Sequence, residues 1–315
     1  MYHSHLLINV GDNPDRPDWN ITRRWLRNLY RVHQRLCMAF PSSVPRTTKE
    51  RIAAYCAPFS GQGMAHSRDL PGGPDNADVH HSRSDEAGFL FRIDQPVDQD
   101  LGMRRPVIIV QSPRKPDWDF AFGLNKNLID NRGRPIGNAG FLLAGPPQIK
   151  EVSINIDGEM LTLTCPTNSS QDQRVNPGDR VRFRLRANPV YKSNGKRHRP
   201  RVSEEDFNAG GDRRQRAFIK AHLDWLERKF GNAADSIECF ALDHDGNQLD
   251  TLATGWTHGW RTKYEPQPKQ QMQWWSALFE GTFRVTNTAA LKSLLESGIG
   301  PAKAFGFGLL SIARA

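Results

Sequence analysis

The chain is poor in cysteine, in long apolar runs and, over two stretches, in acid. Its four cysteines, Cys37, Cys56, Cys165 and Cys239, stand far apart in 315 residues. No CxxC pair for zinc or redox exchange exists, and a disulfide scaffold is excluded. Reduced thiols and a cytoplasmic location are the expectation. No run approaches the ~20 apolar residues of a membrane span. The first ten residues, MYHSHLLINV, have no basic lead, so no signal peptide is expected. HExxH, GxSxG and GxxxxGK[ST] are all missing. His66, His80 and His81 have no Cys or carboxylate at metal-ligand spacing, and no metal or cofactor is expected.

What is present is base. There are 43 Lys+Arg against 34 Asp+Glu, a net charge of +9. The stretch 180–201 holds nine of the basic residues and no acid, so the rest of the chain nets to zero. An excess this local implies a polyanionic partner rather than general solubility.

Periodicity outlines an α+β chain. Strands are expected at 2–10, 89–93, 107–111 and 180–187, with a helix from an N-cap at Thr22 to Ala39, stopped by Pro41. Residues 41–87 read as a long polar insertion, with one short helix near Thr48–Tyr55. A hairpin is expected around Asp157-Gly158 and another at Asn194-Gly195. Arg213–Phe230 and Thr288–Ser297 read as helices, with strands at 237–242, 248–256, 272–286 and 307–313. Two βαββαβ units follow, 1–176 and 177–315, each of ferredoxin-like type.

Four features can carry chemistry. In the first helix Trp25, Leu29, Val32, Leu36 and Phe40 form an apolar stripe. Arg23, Arg24, Arg27, Arg31 and Arg35 fall opposite, and Ile21–Phe40 contains no acid. An anionic ligand explains five arginines without one acid better than a solvated face, which would mix signs. Tyr30 and His33, three apart, share a face on the shoulder of that stripe; an imidazole there suits general acid–base work, or half-burial with a backbone partner. In 180–186 the alternation is strict, with Arg180, Arg182, Arg184 and Arg186 on one strand face and Val181, Phe183 and Leu185 on the other. Lys192, Lys196, Arg197, Arg199 and Arg201 make the following hairpin basic, suited to phosphates. Gly298, Gly300, Gly306 and Gly308 follow a helix and open a strand, the reverse of a dinucleotide fingerprint. They permit a sharp turn or a close backbone approach, and with Lys303 they could hold a phosphate. His222 falls on an apolar helix face and reads as a core histidine. The tryptophans at 256, 260, 274 and 275 suit base stacking or a core.

Four blocks in order, Asn28-Leu29-Tyr30-Arg31-Val32-His33-Gln34 to Phe40-Pro41, Phe183-Arg184-Leu185-Arg186-Ala187-Asn188-Pro189, Trp225-Leu226-Glu227-Arg228-Lys229-Phe230-Gly231-Asn232, and Gly298-Ile299-Gly300-Pro301-Ala302-Lys303 to Gly308-Leu309-Leu310-Ser311, together with the opening MYxSxLLIN, span the chain. This arrangement resembles the CasE family, the CRISPR precursor-RNA endoribonucleases of the type I-E Cascade complex. The resemblance implies two tandem ferredoxin-like domains and metal-independent cleavage of CRISPR repeat RNA below a stem-loop. It implies Tyr30 and His33 as catalytic residues and Lys192–Arg201 as a hairpin entering the stem's major groove. It implies a 2′,3′-cyclic phosphate product, the other Cascade subunits as partners, and no membrane. A non-catalytic RNA-binding or scaffolding subunit of the same fold is the alternative.

Overall fold

The structure is a computed structural model, and it describes residues 1–11, 19–37, 39–40, 88–94, 105–122, 140–165, 172–239, 241–242, 248–249, 253–261 and 270–315. The whole polar insertion, 41–87, with the short helix expected at Thr48–Tyr55 and the histidines at 66, 80 and 81, lies outside the described residues. The chain divides into two compact units. One comprises Met1–Phe89, Ile93–Lys150 and His258–Met272; the other comprises Leu90–Arg92, Glu151–Thr257 and Gln273–Ala315.

The first sheet is built from β1 (Tyr2–Leu7), followed by helices α1 (Trp19–Arg27) and α2 (Leu29–Cys37), then β2 (Leu90–Asp94), β3 (Val107–Ser112), the short helix α3 (Trp118–Phe122) and β4 (Gln148–Glu151). Its strand order is β2-β3-β1-β4, with β1 antiparallel to β3. This is the ferredoxin-like arrangement, with the first strand inside and the last outside it. Alternation in β1 follows from one-sided burial: Ser4 and Leu6 are buried while Leu7 is exposed.

The expected helix is two helices. It begins at Trp19, before Thr22, whose side chain is fully buried rather than capping. It breaks at Asn28, whose N–H donates to Trp25 O at 3.0 Å, an i−3 bond in place of i−4. Asn28 O then accepts from the N–H groups of Arg31 and Val32 and starts α2. The apolar stripe is as the spacing predicts, with Trp25, Leu29, Val32, Leu36 and Phe40 all buried.

A small antiparallel sheet follows, β5 (Ser153–Asp157), β6 (Met160–Thr164) and β7 (Gln173–Val175). The Asp157-Gly158 hairpin forms, with Asp157 opposite Met160.

The larger sheet carries β8 (Arg180–Ala187), the hairpin β9 (Tyr191–Ser193) and β10 (Lys196–His198), helices α4 (Glu204–Ala209) and α5 (Gly211–Phe230), β11 (Ala234–Cys239), a small pair β12 (Ala241–Leu242) and β13 (Gln248–Leu249), β14 (Ala253–Arg261), β15 (Gln270–Val285), α6 (Thr288–Ser297) and β16 (Leu310–Arg314). Its main order is β11-β15-β8-β16, with β14 adding to β15; β9 and β10 form a separate ribbon. The order again places the first strand inside and the last at an edge. The two ferredoxin-like domains expected from the sequence are therefore present.

The core under this sheet is aromatic. Val181, Phe183 and Leu185 of β8 are buried, and Phe183 packs on Phe230 of α5 and Phe283 of β15. Asn287 caps α6, accepting from the Ala290 N–H at 2.9 Å, and Gly298 ends it.

Candidate functional site

In the first unit, α2 carries the pair expected to catalyse. Leu29, Val32, His33, Arg35, Leu36 and Cys37 are all buried, so only a narrow arc of Tyr30, Arg31 and Gln34 stays half-buried. Tyr30 lies in that arc and His33 at its margin, 8% exposed. The His33 ring lies 5.9 Å from the ring of Phe89, which stacks on Phe40 at 5.0 Å.

The arginine face of the first helix needs correction at one position. Arg23, Arg24 and Arg27 are exposed, and Arg31 is half-buried. Arg35 is fully buried and donates to Ala121 O at 2.7 Å. α3 packs on α2 and covers this side. Arg35 therefore ties two helices and cannot meet an outside anion.

In the second unit the β8 arginines share a face, as the alternation predicts, and then differ in their partners. Arg180 pairs with Glu238 at 2.6 Å. Arg184 pairs with Glu280, its register partner on β15, at 3.2 Å. Arg186 donates to Ser276 Oγ at 3.0 Å and lies over the Phe307 ring. Arg182 is exposed and stands between Thr282 and Ala313, neither able to form an ion pair.

The hairpin turns at Asn194 and Gly195, with φ of 50° and 73°. Positive φ at both central residues is the type I′ requirement that Asn-Gly meets. Arg197 stands directly opposite Lys192. Like charges facing across a ribbon destabilise it, unless an anion lies between or over them. Lys196, Arg197, Arg199 and Arg201 are exposed. Arg199 also lies over the rings of Trp275 at 5.0 Å and Trp256 at 5.7 Å, which anchors the end of the ribbon by cation–π contact.

The glycine-rich segment is a close approach of two backbones. The Ile299 N–H donates to Gly308 O at 2.8 Å, and the Gly308 N–H donates to Arg186 O at 2.7 Å. A Cβ on Gly308 would sit 2.7 Å from Ile299 O, and one on Gly298 would sit 2.8 Å from Gly308 O. Both glycines have positive φ, 88° and 72°. Gly300, at φ 80°, abuts the Trp225 ring, and Gly306, at φ 81°, abuts Phe91. The turn delivers Lys303 to a fixed place.

That place is a cleft of about 650 Å³ whose walls include Tyr191, Lys192 and Arg197 of the ribbon, Arg228 and Lys229 of α5, and Lys303. Five cations meet there. Trp225 sets one wall, donating its indole N–H to Val190 O at 3.0 Å. Burial, then the neighbouring Lys229 ammonium, lowers the Lys303 pKa below the ordinary lysine range. The sequence reading missed Arg228 and Lys229, because two cations in the last turn of a helix read as complements of its dipole.

His222 is the core histidine its position suggests. Its Nε2 accepts from the Trp275 indole at 3.0 Å and its Nδ1 lies 2.8 Å from Phe218 O. This fixes the neutral Nδ1–H tautomer, and burial lowers its pKa. Among the described residues no cluster of His, Cys, Asp or Glu could hold a metal ion. None of their helices is long and apolar enough to cross a membrane.

The chain is similar to known proteins in sequence and in fold. The chain is 26% identical over 215 residues to the CRISPR-associated endoribonuclease Cse3 of Thermus thermophilus, an alignment covering 67% of this chain and 75% of that protein. It is 29% identical over 143 residues to the Cascade subunit CasE of Escherichia coli, covering 42% of this chain and 56% of that one. A solved structure of the endoribonuclease Cse3 bound to a 19-nucleotide RNA superposes with a TM-score of 0.50 at 21% identity, covering 100% of both chains, which is a likeness of fold. The family model described as CRISPR associated protein matches residues 74–314, about three quarters of the chain, beginning beyond Tyr30 and His33. The chain belongs to the CRISPR-associated protein family.

Proposed function

We propose that this chain is a CRISPR precursor-RNA endoribonuclease that binds a repeat stem-loop through its second unit and cuts below the stem. The observation that carries the RNA reading is the cleft where Lys192, Arg197, Arg228, Lys229 and Lys303 meet. Among the described residues no carboxylate forms an ion pair with Lys192, Arg197, Lys229 or Lys303, and phosphates supply the missing charge. The name of the Thermus relative supports the nuclease reading, and that of the E. coli relative supports a place in a Cascade-type complex. The reaction class is compatible with a cytoplasmic location.

The chemistry is intramolecular. The ribose 2′-oxygen attacks the adjacent 3′-phosphate, the O2′–P bond forms, and the P–O5′ bond breaks. One proton leaves the 2′-hydroxyl and one reaches the departing O5′, giving a 2′,3′-cyclic phosphate and a 5′-hydroxyl. The tethered nucleophile needs orientation more than activation. His33 handles one of these protons, as base to the 2′-hydroxyl or as acid to O5′, and Tyr30 orients the reacting groups.

The second reading, a binding and scaffolding subunit, is favoured by one observation, the 8% exposure of His33. Repeat RNA incubated with the protein in EDTA, with product ends mapped, separates the two. His33→Ala is expected to lower single-turnover cleavage by ~10²–10⁴-fold with stem-loop affinity retained. A 2′-deoxy substitution at the scissile nucleotide is expected to abolish cutting. A His33→Ala rate within threefold of wild type removes His33 from the chemistry, and absence of any cleavage by wild type favours the scaffold.

A further inference from the structure

Arg228 and Lys229 have no role assigned by the catalytic helix, the hairpin or the glycine-rich turn. They occupy the last turn of α5, where the helix dipole accounts for one cation comfortably. The dipole does not account for Lys192, Arg197 and Lys303, which reach the same cleft from two other segments.

The carboxylates nearby are directed elsewhere. Glu227, in the same turn, acts electrostatically on Cys239 of β11, whose thiol is pushed up to about 12, chiefly by burial. Asp224 pairs with Lys220 at 3.0 Å, and its carbonyl accepts from Arg228 Nε. The Arg228 guanidinium also lies 6.0 Å from the centre of the Tyr191 ring, so it holds the base of the ribbon against the end of α5. Lys229 is exposed, with no ion pair or hydrogen bond among the described residues.

We infer that the cleft is a seat for one or two backbone phosphates of the RNA strand held by the hairpin, with Lys229 and Arg228 as direct phosphate ligands beside Lys303. This deepens the RNA-binding reading above and rests on it. Three segments converge, so the seat fixes the strand relative to α5 rather than merely attracting it. A volume near 650 Å³ lies within the ~300–1,000 Å³ of ordinary ligand sites, room enough for a nucleotide unit. The lowered pKa of Lys303, set first by burial and then by the Lys229 ammonium, agrees, since an anion beside the group offsets both.

The test uses the full chain and a repeat stem-loop with a 2′-deoxy scissile nucleotide, so that binding is read without cutting. Dissociation constants are measured over a range of salt for wild type, Lys229→Gln, Lys229→Glu, the double variant Arg228→Gln/Lys229→Gln, and Lys196→Gln/Arg197→Gln/Arg199→Gln. Lys229→Gln is expected to weaken binding about tenfold, the loss of one charge-assisted hydrogen bond. Lys229→Glu should weaken it further. The double variant should flatten the log–log salt slope by up to ~2 units, using roughly −0.9 per contact for B-DNA as the guide. The melting temperature of Lys229→Gln should match wild type, whereas a dipole-complementing role would lower it and leave affinity alone. Unchanged affinity and slope for Lys229→Gln and Lys229→Glu, with the hairpin triple weakened, overturns the seat but leaves the RNA reading standing. If the hairpin triple is also unchanged, the stem-loop is not held through the second unit, and that part of the functional reading fails together with the seat.

Discussion

The second unit contains two sets of cations that look alike in sequence and differ in the fold. The β8 arginines lie on a central strand, flanked on one side by β15, with β11 beyond it. Those strands bring Glu280, Glu238 and Asp235 to the same face, where they engage Arg184, Arg180 and Arg284. The ribbon, the end of α5 and the glycine-rich turn bring five cations together with no such acid among the described residues that line the cleft. A sheet interior assigns each side chain neighbours at fixed register, and these can be complementary carboxylates. A two-stranded ribbon has no further strand to supply them. Strict alternation therefore identifies a charged face and says little about whether the charge is free. Among the described residues, the cations that gather without carboxylate partners lie in the less regular part of the sequence.

The strongest challenge to this contrast is removal of the ribbon's cations. Neutralising Lys196, Arg197 and Arg199 together is expected to weaken stem-loop binding by ~10²–10³-fold and flatten the salt slope by up to ~3 units. If about five cations meet phosphates, the wild-type slope should lie near −4 to −5 by the B-DNA guide. Equal binding by this variant would move the anchor to the exposed arginines of α1, Arg23, Arg24 and Arg27.

Next in size is the turn that positions Lys303. Gly308→Ala places a Cβ 2.7 Å from Ile299 O at a positive φ of 88°. Unfolding stability is expected to fall by about 1–3 kcal/mol, with RNA affinity falling as Lys303 shifts. Denaturant titration and binding on the same preparation check both parts. Unchanged affinity in a destabilised variant would separate the turn from the cleft.

The contrast within the β8 stripe is finer. Arg182→Gln removes the exposed member that stands between Thr282 and Ala313 rather than beside a carboxylate, and is expected to weaken RNA binding by about tenfold. Arg184→Gln should change affinity less than threefold, since Glu280 already takes its charge. Its effect on stability should stay near 0–1 kcal/mol, because the pair is 29% and 35% exposed and solvent screens it. An RNA effect of Arg184→Gln exceeding that of Arg182→Gln would break the distinction between engaged and available arginines.

Much of the fold was legible from pattern. β8 and α6 have the bounds that alternation and helical spacing predict, and Asn194-Gly195 announced its turn. The two βαββαβ orders follow from the succession of strands and helices. Within the site, the apolar stripe of the first helix and the core role of His222 were also legible, since each depends on periodicity along a single element.

Arg35 shows where that reasoning stops. At ~100° per residue it falls with the exposed arginines, because a periodicity count assumes one continuous helix with one buried side. The break at Asn28 restarts the phase, and α3, distant in sequence, covers the side the count leaves open. Lys229 shows the converse. Its place in the chain, the last turn of a helix, fully accounts for a lysine there. The sequence by itself determined the elements, their order and the sign of the charge, since these depend on neighbours within a few residues. Only the tertiary structure decided which cations meet carboxylates and which converge on an open cleft, because electrostatic partnership is a matter of distance in space.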